Sequence, residues 1–144
     1  MSEKEFDIVN KARHYNVHPV FRYECIDYVK NMGFCEGNAF KYLYRHKDKE
    51  KPSQDIRKAI YYLLAVDSTV LMKYDSNIAM TLIDDFKEWE KKYSPVINGG
   101  IDYYESIVYK TMVALYTQPD REKILEYVKN LEKYADLLEK EGNK

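Results

Sequence analysis

Ala79-Met80-Thr81-Leu82-Ile83-Asp84-Asp85-Phe86-Lys87-Glu88-Trp89-Glu90-Lys91-Lys92-Tyr93 repeats apolar residues at 79, 82, 86, 89 and 93. Steps of three and four in alternation put these five on one side of an α-helix and the charges on the other. The same rhythm recurs on both sides of this stretch. Ile101, Tyr104, Val108, Met112 and Leu115 follow it downstream, and Ile124, Val128, Leu131, Ala135 and Leu138 beyond them. Upstream it is seen in Ile56, Ala59, Ile60 and Leu63, in Phe40, Leu43 and Tyr44, and in Cys25, Ile26, Val29 and Met32. No stretch alternates with a period of two, so the chain reads as all-α, a compact bundle of about six helices.

Breaks between the stripes are short. Gly33, Pro52, Asp75-Ser76-Asn77, Ser94-Pro95 with Asn98-Gly99-Gly100, and Pro119 separate them. Ser53 is predicted as the N-cap of a helix that runs to about Lys73, and Thr117 with Asp120 has the spacing of a capping box. With 144 residues and no low-complexity linker, a single domain over 1–144 is expected. It divides into an N-terminal arm (1–18), motif-bearing helices (19–73) and amphipathic helices (75–140). The long, tyrosine-rich stripes of the second half point to a homo-oligomer.

Composition narrows the function. The chain is 45% hydrophobic and 33% charged, its mean hydropathy is −0.64, and it has no unbroken apolar run of membrane length, so no membrane partner is expected. The polar, acidic opening Met1-Ser2-Glu3-Lys4-Glu5 suggests a cytoplasmic location. Cys25 and Cys35 lack zinc-site spacing and read as reduced, structural thiols. There is no phosphate-binding glycine loop, dinucleotide fingerprint or nucleophile signature. A formal net charge of −1 makes nucleic acid an unlikely partner.

Charge is nevertheless uneven. Between Lys41 and Lys58 lie seven basic residues (41, 45, 47, 49, 51, 57, 58) and three acidic ones (48, 50, 55). On a helix, Asn38, Lys41 and Arg45 share one face, a row of donors suited to phosphate: a planar fork, a mobile ammonium and an amide. A solvated basic face has the same spacing. On the next helix Asp55, Lys58 and Tyr62 share a side, and a short connection makes the two helices antiparallel neighbours bordering one cleft. Asp55 is placed either to hold Arg45 or Lys41 or to carry a magnesium ion. Glu24 and Asp27, three apart, are further magnesium candidates, although the second acidic pair such a site needs has only Asp102 and Glu105 to offer. His14-Tyr15 and His18 precede the first helix within reach of a site.

His14-Tyr15, Glu24-Cys25-Ile26-Asp27, Gly37-Asn38-Ala39-Phe40-Lys41-Tyr42-Leu43-Tyr44-Arg45 and Gln54-Asp55-Ile56-Arg57-Lys58-Ala59-Ile60-Tyr61-Tyr62-Leu63 resemble, in order and spacing, the SaV-like family of small bacteriophage proteins. The chain departs from that pattern at Val20-Phe21-Arg22-Tyr23, where relatives carry glycines. One family member is a nucleotide kinase without a P-loop. The resemblance therefore implies a nucleotide site over roughly residues 14–64, in the cytoplasm of an infected bacterial host. Lys41, Arg45 and Arg57 or Lys58 would neutralise phosphate, Asn38 and Tyr42 would contact base or ribose, and His14 and Tyr15 would close over the ligand. Three functions follow as expectations. The first is sequestration of a small signalling nucleotide to counter host defence. The second is a magnesium-dependent phosphoryl enzyme using Glu24, Asp27 and Asp55. The third is a helical adaptor that inhibits a host protein.

Overall fold

The computed structural model describes residues 18–47, 51–67, 75–93, 101–117 and 119–142. Among them the chain forms six helices and no strand: α1 (Cys25–Val29), α2 (Phe34–Arg45), α3 (Pro52–Leu64), α4 (Ser76–Tyr93), α5 (Ile101–Leu115) and α6 (Arg121–Lys140). This is an all-α bundle. α3 lies between α2 and α6, α5 packs on α6, α2 and α4, and α1 bridges α2 and α4.

The stripes meet in one core. Tyr28 of α1, Phe40 and Leu43 of α2, Ile56 and Leu63 of α3, Leu82 of α4, Val108 and Met112 of α5, and Ile124 and Leu131 of α6 are all buried in the same cluster. Burying each large side chain contributes about 1.5–3 kcal/mol, which is why periodicity rather than propensity decides the helices. The stripes of α4 and α6 are covered within the chain, at Leu82, Phe86, Ile124, Val128 and Leu131. Tyr93, at the end of the α4 stripe, is 57% exposed.

Helix ends differ from the sequence reading where side chains compete for backbone groups. Ser53 is not an N-cap: Lys51 holds that position, Pro52 opens α3 and Ser53 is buried. Proline suits the first turn because its missing N–H would have no intrahelical partner. α3 stops at Leu64, with Ala65 as C-cap, well before Lys73. Thr117 does not complete a capping box. Asp120 caps α6 alone, accepting from the Lys123 N–H at 2.9 Å, while the Thr117 hydroxyl donates to the Ala114 carbonyl at 2.7 Å. α1 is only five residues long, and Ile26 is exposed while Tyr28 takes the core position. The 94–100 turn lies outside the described residues.

Three arginines tie the layers. Arg22 grips Asp85 of α4 through Nε (3.1 Å), Nη2 (2.8 Å) and its backbone N–H (2.9 Å). Arg121 donates to the Leu64 carbonyl at the end of α3, at 2.8 Å. Arg57 bonds to Asp136 (2.6 Å) and Glu139 (2.8 Å) of α6. No described helix is long and apolar enough to cross a membrane.

Candidate functional site

The end of α2 faces the start of α3. Arg45 Nη2 stands 3.6 Å from Asp55 Oδ1, and Phe34 at the start of α2 reaches Tyr62 near the end of α3, ring centroids 5.8 Å apart. The helices are thus antiparallel, and the polar side of each borders one surface. Tyr42 lies at its centre, stacked on Tyr62 at 5.9 Å with an interplanar angle of 11°.

Three cations converge on that ring. Lys41 Nζ is 4.6 Å from the Tyr42 centroid, the Arg45 guanidinium 4.7 Å and Lys58 Nζ 5.4 Å. The negative face of the ring offsets part of their mutual repulsion, and Asp55 offsets more. Among the described residues, Asp55 is the one carboxylate paired with this cluster of three cations. The ion pair is also incompletely satisfied: the Asp55 side chain is only 5% exposed and that of Arg45 32%, yet Asp55 Oδ2 and Arg45 Nε are buried with no hydrogen-bond partner among the described residues.

Beside this cluster runs a groove of about 440 Å³ between α1 and the first turns of α2, lined by Val29, Met32, Phe34, Gly37, Asn38 and Lys41 among others. Gly37 keeps it open. A Cβ there would stand 3.7 Å from the Cβ atoms of Val29 and Met32, in ordinary contact but inside the groove. Cys25 also lines it, and burial pushes its thiol up to about 11 although Lys41 and Arg45 pull the other way. The thiol stays protonated and behaves as an apolar wall. Cys25 and Cys35 are free and half-buried.

Of the residues singled out from sequence, Lys41, Tyr42, Arg45, Asp55, Lys58 and Tyr62 come together. Asn38 lines the groove, its amide donating to the Phe34 carbonyl at 2.8 Å. Arg57 does not join them. It points to α6, where two carboxylates hold it, because it lies off the face that carries Asp55 and Lys58. Arg57→Ala is expected to lower the melting temperature by no more than a few degrees and to leave anion affinity at Tyr42 unchanged, measured by thermal denaturation and titration.

Glu24 and Asp27 are committed to α1 as a reciprocal capping box, with the Glu24 N–H donating to Asp27 Oδ2 at 3.1 Å. Their spacing serves the helix start, and the magnesium site drawn from Glu24, Asp27 and Asp55 does not assemble: Asp55 faces Arg45 instead. No group of three or more His, Cys, Asp or Glu side chains among the described residues is placed to hold a metal ion. His14 and Tyr15 lie outside the described residues. Lys47 turns away to Glu105 at 2.9 Å.

His18 and His46 are buried and structural. His18 Nδ1 accepts from the N–H groups of Val20 (2.9 Å) and Phe21 (3.2 Å). Burial, aided by the charges of His46 and Lys47 and opposed by a hydrogen bond to the Tyr44 backbone, lowers its pKa to about 3. His46 Nδ1 lies 2.7 Å from the Leu43 carbonyl, which makes it the protonated nitrogen and leaves Nε2 facing the Tyr134 hydroxyl at 3.5 Å. Burial lowers its pKa to about 4.

Sequence reasoning passed over Phe34 and Tyr61, which are 74% and 69% exposed beside this surface. Their signal was available: both are aromatic residues off the apolar stripe of their own helix.

A family model described as a protein of unknown function, DUF3310, matches residues 9–64. The match covers well under half of the chain and ends with the last residue of α3. Comparison with curated proteins and with solved structures returns no match. All of the cation cluster lies inside the matched segment.

Proposed function

We propose that this protein binds a small nucleotide on the α2–α3 surface and holds it without turning it over. The observation that carries this reading is the convergence of Lys41, Arg45 and Lys58 on the Tyr42 ring with one carboxylate to balance them. A phosphate there would meet a guanidinium fork and two ammonium groups, while aromatic faces beside it suit a base. Sequestration is favoured over phosphoryl transfer because Glu24 and Asp27 cap α1 and Asp55 faces Arg45, so the carboxylates a magnesium-dependent step would use are otherwise engaged. With the bacteriophage resemblance of residues 14–64, the biological role we propose is retention of a signalling nucleotide in an infected cell, to the detriment of host defence.

Calorimetric titration with the four 5′-mononucleotides and with inorganic phosphate tests the reading. Binding of at least one nucleotide is expected, weakening as salt rises. Lys41→Ala should lower that affinity about tenfold, since a charge-assisted contact contributes roughly 1.5–3 kcal/mol. Absence of binding at millimolar nucleotide, or an unchanged Lys41→Ala, overturns it.

A further inference from the structure

Each lysine of the cation cluster belongs to a separate apolar seat. Lys41 closes one end of the α1–α2 groove while its ammonium stands over Tyr42. Lys58 precedes Tyr61 by three residues on α3, so the two share a side of that helix, and its ammonium also reaches Tyr42. Tyr61 stands at right angles to Tyr62, centroids 5.2 Å apart and interplanar angle 89°, leaving most of its ring in water. Phe34, at the edge of the groove, meets the same Tyr62 edge to face. Groove and Tyr61 are thus two distinct planar or apolar surfaces joined through one anion-binding point.

A single nucleotide fills only one of them. Exposed apolar features of this kind, set around a few convergent polar groups, mark ligand sites, and the groove volume falls in the range such sites occupy, about 300–1,000 Å³. On the nucleotide reading above, we propose that the ligand is a dinucleotide: one base lies in the groove, the other on Tyr61, and the phosphate between them sits at Lys41, Arg45 and Lys58. Gly37 is then a size-determining position, because any side chain there enters the base seat.

The test compares the four 5′-mononucleotides with the four corresponding 5′-phosphorylated homodinucleotides and a thymidine decanucleotide, by titration of the full chain. At least one dinucleotide is expected to bind about tenfold or more tightly than its mononucleotide, the size of effect one added base–aromatic stack produces. Gly37→Leu, which fills the groove, and Tyr61→Ala should each remove most of that advantage without lowering the melting temperature; Phe34→Ala replaces Gly37→Leu if the latter does not fold. Equal affinity for mono- and dinucleotides overturns the two-seat inference while the nucleotide reading stands. If neither binds, both fail. A decanucleotide bound far more tightly than any dinucleotide would overturn the inference in favour of single-stranded nucleic acid.

Discussion

Acidification from pH 7 to pH 5 is expected to remove about 4 kcal/mol of folding stability, about 2 kcal/mol through each of His18 and His46. Both are neutral when folded, with pKa values lowered from 6.5 to about 3 and about 4 by burial. In the unfolded chain both take up a proton as pH falls below 6.5, so the unfolded state binds more protons and gains free energy relative to the folded one. Loss begins near pH 6.5 and continues until the folded values are reached. Nδ1 of His18 is an acceptor and Nδ1 of His46 a donor; a second proton on His18 would face two backbone N–H groups, and one on His46 would meet only the Tyr134 hydroxyl, 3.5 Å away. Urea denaturation at pH 7, 6 and 5 measures the slope. His46→Asn, whose amide can donate to the Leu43 carbonyl, should be less stable at pH 7 and show about half the pH dependence. A wild-type profile flat between pH 7 and 5 would mean that the folded protein protonates both rings.

Arg45→Ala and Asp55→Asn are expected to move nucleotide affinity in opposite directions while both lower stability. Arg45→Ala removes the fork and should weaken binding about ten- to a hundredfold. It also leaves Asp55 buried without its counter-charge. Breaking a buried pair costs about 3–5 kcal/mol, and because Arg45 is one-third exposed and 3.6 Å away the expected loss here is smaller, about 1–2 kcal/mol. Asp55→Asn takes away the carboxylate paired with Arg45, so phosphate should bind several-fold more tightly to a less stable protein. Arg45→Lys keeps the charge but not the planar fork and should recover part of the stability and little of the affinity. Calorimetric titration and chemical denaturation of the same four proteins separate the possibilities. If the pair is only structural, all three variants will lose stability and none will change affinity.

The donor row on α2 was legible because it rests on helical spacing and a short connection. Asn38, Lys41 and Arg45 fall on one face by arithmetic, and with only six residues between α2 and α3 the helices are antiparallel neighbours that bring Asp55, Lys58 and Tyr62 to the same border. Apolar periodicity likewise determined that the fold is all-α and the main buried side of α2, α3, α4 and α6, since the gain from burial repeats with the turn of the helix; α5 departs from its single predicted stripe, because Glu105, Ser106, Tyr109 and Thr111 are buried as well. It failed in α1, where five residues are too few for a period to average over and Tyr28, not Ile26, takes the core.

What the sequence by itself determined, then, is helices, their buried faces and a local excess of positive charge between residues 41 and 58. Only the tertiary structure decided where that charge goes. Lys47 turns to Glu105 on α5, Arg57 to Asp136 and Glu139 on α6, and Lys41, Arg45 and Lys58 gather on Tyr42. Long cationic side chains reach several ångströms from their backbone, and the carboxylates that Lys47 and Arg57 meet lie 58 to 82 residues away, so that choice depends on how the helices pack.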